Sequence, residues 1–175
     1  MTQEKAQFVF SPRILEHLGI SAYNSVRKCL AELAANSYDA DATEVHITLP
    51  DIVDENARIS VHDNGTGMST DDLRDKFLYV GRDRRQEGDR TPLGRLVIGS
   101  KGIGKLAGFG IASRIRIGTA RDGVLSSITI DKSALDNITR LSDHEFDITV
   151  TETEQANGTT LELLDLHDGL QMPSA

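Results

Sequence analysis

The segment ELAANSYDA, residues 32 to 40, places a carboxylate and an amide one helical turn apart. At about 100° per residue, Glu32, Asn36 and Asp39 lie within roughly 60° of one another on a helix. A carboxylate there can orient and deprotonate a water molecule, and an amide oxygen can ligate a hard cation such as Mg²⁺. The alternative is a solvated polar face, the commoner explanation for an isolated helix. Against it, this face carries no interleaved Lys or Arg.

A second polar segment, VHDNGTGMS, spans residues 61 to 69. Asp63 ends a predicted strand, where its carboxylate can accept a hydrogen bond from an exocyclic amine. Gly65 and Gly67 lack a Cβ, so the backbone can approach a flat ring closely, and Met68 can pack on that ring. A plain Asn-Gly turn explains the same residues without any ligand. Both interpretations stay open for this segment taken alone.

The segment GSKGIGKL, residues 99 to 106, begins like a Walker A phosphate-binding loop, since it spells G-x-x-x-x-G-K. The next residue is Leu106, where that motif requires Ser or Thr for magnesium. The best downstream strand that ends in Asp, SSITID (126 to 131), is too polar for a good Walker B strand. A glycine-rich turn before a helix can still bind phosphate through backbone N–H groups.

Composition and charge restrict the function. The chain has 175 residues, enough for one domain with a sizeable core. The net charge of -8 argues against direct binding of duplex nucleic acid. The single cysteine, Cys29, excludes an internal disulfide and favours a reducing, cytoplasmic compartment. We find neither a signal-peptide pattern nor an apolar run that could span a bilayer, so we expect no membrane association.

The hydrophobic pattern predicts the elements that position these segments. Residues 1–20 form an extended arm with a short helix near residues 12–18, and Ser21 can cap a long helix that ends near residue 38. Ser69 or Thr70 can cap a short helix through residue 77. Residues 103–113 fit a further helix. Alternation predicts strands at residues 43–49, 57–63, 114–120, 123–130, 145–152 and 159–164.

This order of elements indicates one α+β domain over residues 1–175. We predict a two-layer sandwich, with helices on one face of a mixed, mostly antiparallel sheet. Residues 80–104 are rich in Gly and Arg and lack periodicity, which predicts a long mobile loop. Residues 165–175 form a tail without a predicted element.

Four segments of the chain resemble the ordered motifs of the GHKL ATPases. That superfamily includes gyrase B, the ninety-kilodalton heat-shock chaperones, MutL, MORC proteins and histidine kinases. The segments are ELAANSYDA (32–40), DNGTGM (63–68), GSKGIGK (99–105) and NGTTLEL (157–163). Each is weak alone, but their shared order and spacing make the resemblance specific over residues 22–163. It implies the Bergerat-type ATP-binding fold and places the chain nearest the hydrolase branch of MutL, MORC and the chaperones.

The resemblance implies roles for individual residues. Glu32 is then the general base, and Asn36 ligates the Mg²⁺ that bridges the phosphates. Asp63 binds the adenine amine with help from the Thr159 hydroxyl and a water, and Asp39 supports the motif helix or a water near the metal. Backbone N–H groups of residues 100–105 meet the phosphates. The implied nucleotide-binding set is Asp39, Asp63, Gly65, Gly67, Met68, Gly99, Ser100, Lys101, Gly102, Ile103, Gly104, Lys105 and Thr159.

By the same resemblance, residues 80–104 are an ATP lid that closes over the nucleotide. Its glycines can act as hinges. Its arginines either neutralise the negative charge of the phosphates or belong to a solvated loop. The hinge candidates are Gly81, Gly88 and Gly94, and the arginines are Arg82, Arg84, Arg85 and Arg90.

Three functions follow from the resemblance: an ATPase module whose nucleotide state drives lid closure and dimerisation, a histidine-kinase-like phosphotransfer domain, and an ATP sensor without turnover. Glu32 argues against the sensor, and the short stretch before the long helix argues against the kinase. We expect ATP or ADP and Mg²⁺ as ligands, with C-terminal domains of the same protein and a second copy as partners. Because relatives receive a Lys or Arg for the γ-phosphate from a following domain, we expect slow hydrolysis by this chain alone.

Overall fold

The computed structural model describes residues 2–7, 9–10, 25–80, 88–99, 104–133 and 145–173. The long helix is α1 (Val26–Asp39). A π-helical segment covers Asp72–Phe77, and a 3₁₀ helix covers Gly104–Gly110. The strands are β1 (Thr2–Gln7), β2 (Val9–Phe10), β3 (Val45–Thr48), β4 (Ile59–Asp63), β5 (Tyr79–Val80), β6 (Ala112–Arg121), β7 (Val124–Asp131), β8 (Glu145–Glu152) and β9 (Gly158–Leu166).

Seven of these strands form one antiparallel sheet in the order β1-β8-β7-β6-β9-β4-β3. Strands β2 and β5 form a separate pair, which is the one parallel pairing among the described strands. Strand β4 lies between β3 and β9, so the residue that ends it is surrounded by neighbouring backbone. The α+β fold class is confirmed, with the long helix packed against this sheet.

Strand periodicity explains why Asp63 faces the helix. Along β4, burial alternates so that Ile59, Val61 and Asp63 share the inner face. The first two pack in the core with Cys29 and Leu33 of α1. Asp63 continues this apolar stripe of alternate residues and therefore lies between the strand and the helix. A carboxylate buried there requires hydrogen-bond partners.

Two predicted helices begin or end differently in the structure. The helix predicted from Ser21 begins at Val26, and Ser25 just before it has extended backbone with φ −121°. Ser21 and the short helix near residues 12–18 lie outside the described residues. The helix predicted over residues 103–113 is a 3₁₀ helix that ends at Gly110, and β6 starts at Ala112. Three glycines in seven residues lower the α-helical propensity there.

The other boundaries follow the predictions closely. Ser69, rather than Thr70, accepts the Asp72 N–H (3.1 Å) at the start of the π-helical segment. Strand β9 continues to Leu166, two residues beyond its predicted end. Among the helices that the structure describes, none combines the length and the apolar content of a membrane span.

Gly67 holds the turn after β4 against the sheet in a left-handed conformation. Its φ is +63°, and a Cβ added there would lie 2.1 Å from the Ala120 carbonyl oxygen. We expect Gly67→Ala to lower the free energy of unfolding by about 3 kcal/mol, because backbone strain and a backbone clash add.

Chemical unfolding measures this loss, with Gly169→Ala as the matched control. Gly169 also has a positive φ (+73°), but an added Cβ would meet no atom within 4 Å. Its substitution should cost only the strain, about 1 kcal/mol. Equal losses in the two variants would show that the clash at Ala120 contributes nothing.

Candidate functional site

Asp63 is the centre of a buried polar cluster between β4 and α1. The residue is 6% exposed. The Ser37 hydroxyl donates a hydrogen bond to Asp63 Oδ2 (2.9 Å), and the Gly65 N–H donates to Oδ1 (2.9 Å). An ionised carboxylate offers about four acceptor positions, so these two donors orient the group and leave capacity for a ligand amine. Sequence reasoning missed Ser37, which follows Asn36 on the helix.

A pair of threonines lies beside Asp63 on the inner strands. Thr159 of β9 is the register partner of both Asp63 on β4 and Thr119 on β6. The hydroxyls of the two threonines are 3.1 Å apart. The Met68 N–H donates to Thr119 Oγ1 (2.8 Å), which fixes the turn that carries Met68. The structure thus brings together the predicted residues Asp63, Met68 and Thr159.

Thr119 was not among the predicted site residues, although a signal for it exists. It is fully buried and continues the inner-face stripe of Ile115 and Ile117. A polar residue on an apolar stripe of period two is the same pattern that marks Asp63 on β4. This pattern, read on both strands, would have identified the pair.

The glycines around Asp63 make close backbone contacts. A Cβ added to Gly65 would lie 2.6 Å from the Ala40 carbonyl oxygen, and one added to Gly158 would lie 2.3 Å from the Asp63 carbonyl oxygen. We predicted that Gly65 and Gly67 leave room for a flat ring. In the direction where a Cβ would lie, the backbone of Ala40 and Ala120 fills the space, so both glycines also allow close packing within the site.

Glu32 and Asn36 of α1 lie beside the two ends of the predicted phosphate-binding segment. A Cβ added to Gly104 would lie 2.5 Å from Glu32 Oε2, so this carboxylate rests on the start of the 3₁₀ helix. One added to Gly99 would lie 3.9 Å from Asn36 Oδ1. Residues 100–103 between these ends, and the side chain of Lys105, lie outside the described parts of the chain.

Asp39 holds the backbone that leads into that segment. The residue is 5% exposed. Its two carboxylate oxygens accept the N–H groups of Ile98 and Gly99, each at 2.8 Å. We predicted that Asp39 supports the motif helix or a water near the metal, and these two bonds show that it also holds the backbone of residues 98–99. Gly99, predicted to bind nucleotide, donates its N–H to Asp39.

The part of the predicted lid that the structure describes, residues 88–99, forms a hairpin, and we call it the lid hairpin. The Thr91 N–H donates to the Arg95 carbonyl oxygen (2.8 Å), and the Val97 N–H donates to that of Asp89 (2.9 Å). Arg90 donates to the Gly94 carbonyl oxygen (2.8 Å) within the hairpin. The Arg90 side chain therefore stabilises the turn of the hairpin to which it belongs. Of the other candidates, Gly81, Arg82, Arg84 and Arg85 lie outside the described residues.

The Cys29 thiol, one turn before Glu32, is chemically inert. Burial and then the nearby Glu32 carboxylate raise its pKa to about 12. The side chain is therefore protonated at neutral pH and packs in the core.

The donor set fits a magnesium ion that is shared with a ligand. Within the described ranges, no group of three or more His, Cys, Asp or Glu side chains is arranged to hold a metal. Mg²⁺ commonly takes one or two protein oxygens and completes its shell with phosphates and water. The amide oxygen of Asn36, beside the predicted phosphate-binding segment, could supply one such oxygen.

The chain is similar in sequence to known proteins along most of its length. A family model described as "Histidine kinase-, DNA gyrase B-, and HSP90-like ATPase" matches residues 23–160. A putative type II restriction enzyme, HgiDII of Herpetosiphon aurantiacus, is 39% identical over 136 residues, which are 78% of this chain and 21% of that protein. The chaperone protein HtpG of Paraburkholderia xenovorans (strain LB400) is 30% identical over 186 residues, an alignment that covers 93% of this chain and 28% of that protein. The chain thus spans less than a third of these curated relatives.

Proposed function

Because this chain belongs to the family of histidine kinase-, DNA gyrase B- and HSP90-like ATPases, we propose that it binds ATP with Mg²⁺ and hydrolyses it. The observation that carries this proposal is the buried Asp63 carboxylate. Ser37 and Gly65 orient it, and Thr159 stands beside it in register. A fixed carboxylate selects a base with an exocyclic amine, as adenine has, over one with a carbonyl at that position.

The proposed hydrolysis depends on α1. Glu32, against the start of the 3₁₀ helix, is placed to accept a proton from the attacking water. Asn36 would hold Mg²⁺, which when bound neutralises phosphate charge and orients the phosphates. Asp39 fixes the start of the phosphate-binding segment through two N–H groups. In this proposal, Glu32, Asn36 and Asp39 on one helix face act respectively on the attacking water, the metal ion and the phosphate-binding segment.

We further propose that the domain works within a longer protein. Its matches cover 21% of HgiDII and 28% of HtpG, which leaves most of each relative outside the alignment. In that setting, ATP would close the lid, favour dimerisation and bring a cation from another domain to the γ-phosphate. A reducing, cytoplasmic compartment agrees with the single buried cysteine.

Asp63→Asn is expected to weaken ATP binding about 10- to 100-fold, since the amine loses a charge-assisted acceptor worth about 1.5–3 kcal/mol. Isothermal titration calorimetry with Mg²⁺ present measures the change. Asp131→Asn is the control, because Asp131 is exposed at the end of β7 and pairs with Arg114. Unchanged ATP affinity in Asp63→Asn would remove the adenine assignment.

A further inference from the structure

Asp41, just after α1, is buried in an unfavourable backbone conformation. It is 5% exposed and has φ +61°. A residue other than glycine pays an energetic penalty in this region, although Asp tolerates it better than most. A buried carboxylate must also find partners. The contacts of this side chain therefore have to offset both costs.

Among the residues that the structure describes, the partners of the Asp41 side chain belong to the lid hairpin. The Thr91 hydroxyl donates to Asp41 Oδ1 (2.5 Å), and the Leu93 N–H donates to Oδ2 (3.1 Å). The Arg95 Nε atom lies 3.8 Å from Oδ1. One carboxylate of the helix end thus engages three residues of the hairpin.

Arg95 strengthens the same attachment from the hairpin side. Its Nη1 atom donates to the Ala42 carbonyl oxygen (2.7 Å) and to that of Tyr38 (3.4 Å). Its Cζ atom also lies 5.0 Å from the centroid of the Tyr38 ring, within the range of a cation–π contact. The hairpin is therefore fixed to the end of α1 by side chains from both partners.

This attachment lies directly before the phosphate-binding segment. After Arg95 the chain runs to Ile98 and Gly99, which Asp39 holds, and then enters residues 100–105. We propose that Asp41 is a positioning residue for the phosphates: it anchors the lid hairpin on α1 before nucleotide binds. The segment that meets the phosphates then starts from a fixed point beside Asn36. This inference rests on the proposed ATP binding.

The anchor is tested first without any ligand. Asp41→Gly keeps the positive φ accessible and removes the carboxylate. We expect hydrogen exchange to become faster at the Gly94 and Val97 amides, which bond to backbone carbonyls within the hairpin, in this variant and in Thr91→Val. The second variant removes the hydroxyl that donates to Asp41 and accepts the Arg95 N–H. The control is Asp122→Gly, because Asp122 also has a positive φ (+53°) but lies in the exposed β6–β7 turn. Unchanged exchange in both test variants would overturn the anchor.

The positioning role is tested by comparing ATP with adenosine, which shares the base and lacks the phosphates. Asp41→Gly should weaken ATP binding about tenfold and leave adenosine binding unchanged, since the Asp63 cluster is untouched. An equal loss for both ligands, or unchanged ATP binding with faster exchange, would overturn the role. If the unmodified chain bound neither ligand, the proposed function would be rejected, whereas the exchange result would still decide whether Asp41 anchors the hairpin.

Discussion

Glu32→Gln is expected to slow ATP hydrolysis by about 100- to 10,000-fold, the usual contribution of a positioned general base. Gln keeps the shape of the side chain and its contact with the start of the 3₁₀ helix at Gly104, but it cannot accept the proton of the attacking water. ATP affinity should be nearly unchanged, because the adenine contacts lie around Asp63. The loss should therefore appear in kcat and not in KM.

Phosphate release under saturating ATP measures this effect, with Glu44→Gln as the control because the Glu44 side chain is 70% exposed. The unmodified chain itself should turn over more slowly than about 1 per second, the low end of ordinary enzymes. A cation fixed at the γ-phosphate is worth about a thousandfold or more in related chemistry, and we propose that another domain supplies it. Full turnover in Glu32→Gln would exclude Glu32 as the base. Labelled phosphate found on protein would favour phosphotransfer instead.

Asn36→Ala is expected to abolish the dependence of ATP binding on Mg²⁺. Asn36 is the proposed protein ligand, because its amide oxygen lies beside the predicted phosphate-binding segment. Without its amide oxygen, the ion keeps only phosphate and water ligands and no longer links ATP to α1. ATP affinity in the variant should equal that of the unmodified chain in excess chelator.

Paired titrations with Mg²⁺ and with chelator measure that dependence for each variant. Asn56→Ala is the control, because Asn56 lies in the exposed turn between β3 and β4. It should retain the full difference between the two conditions. If Mg²⁺ still strengthened ATP binding in Asn36→Ala, the ion would have to be held by another residue.

Residue periodicity accounts for the parts of the fold that could be predicted. Alternation along β4 placed Asp63 at the end of a half-buried strand, and helical spacing placed Glu32 and Asn36 on one face of α1. These are local patterns, and the structure keeps them. The resemblance to GHKL ATPases, which rested on the order of four such segments, is confirmed by the family match.

The contacts that complete the site depend on residues far apart in sequence. Ser37 meets Asp63 across 26 positions, and Thr119 meets Thr159 across 40. Asp41 reaches Thr91 across 50. Each of these residues has an ordinary local role in a helix, strand or turn. Its additional role in the site becomes visible only from the strand register and from the packing of the lid hairpin.

The loop over residues 80–104 shows the same limit. Its Gly and Arg content predicted a long mobile loop, and no local pattern indicated that residues 88–99 form a hairpin with backbone hydrogen bonds of its own. Asp39 and Asp41, which stabilise this hairpin at the end of α1, lie 59 and 50 residues before their partners Ile98 and Thr91. A local pattern cannot report an attachment of this kind.

The central claim is that the Asp63 cluster recognises adenine, and titration of the unmodified chain with ATP and with GTP in Mg²⁺ tests it most directly. Guanine presents a carbonyl oxygen where adenine presents an amine, so GTP would place two acceptors against each other at Asp63. We predict saturable binding of ATP at one site per chain and GTP binding weaker by at least about tenfold. Equal affinity for the two nucleotides, or no binding of ATP, would contradict the account.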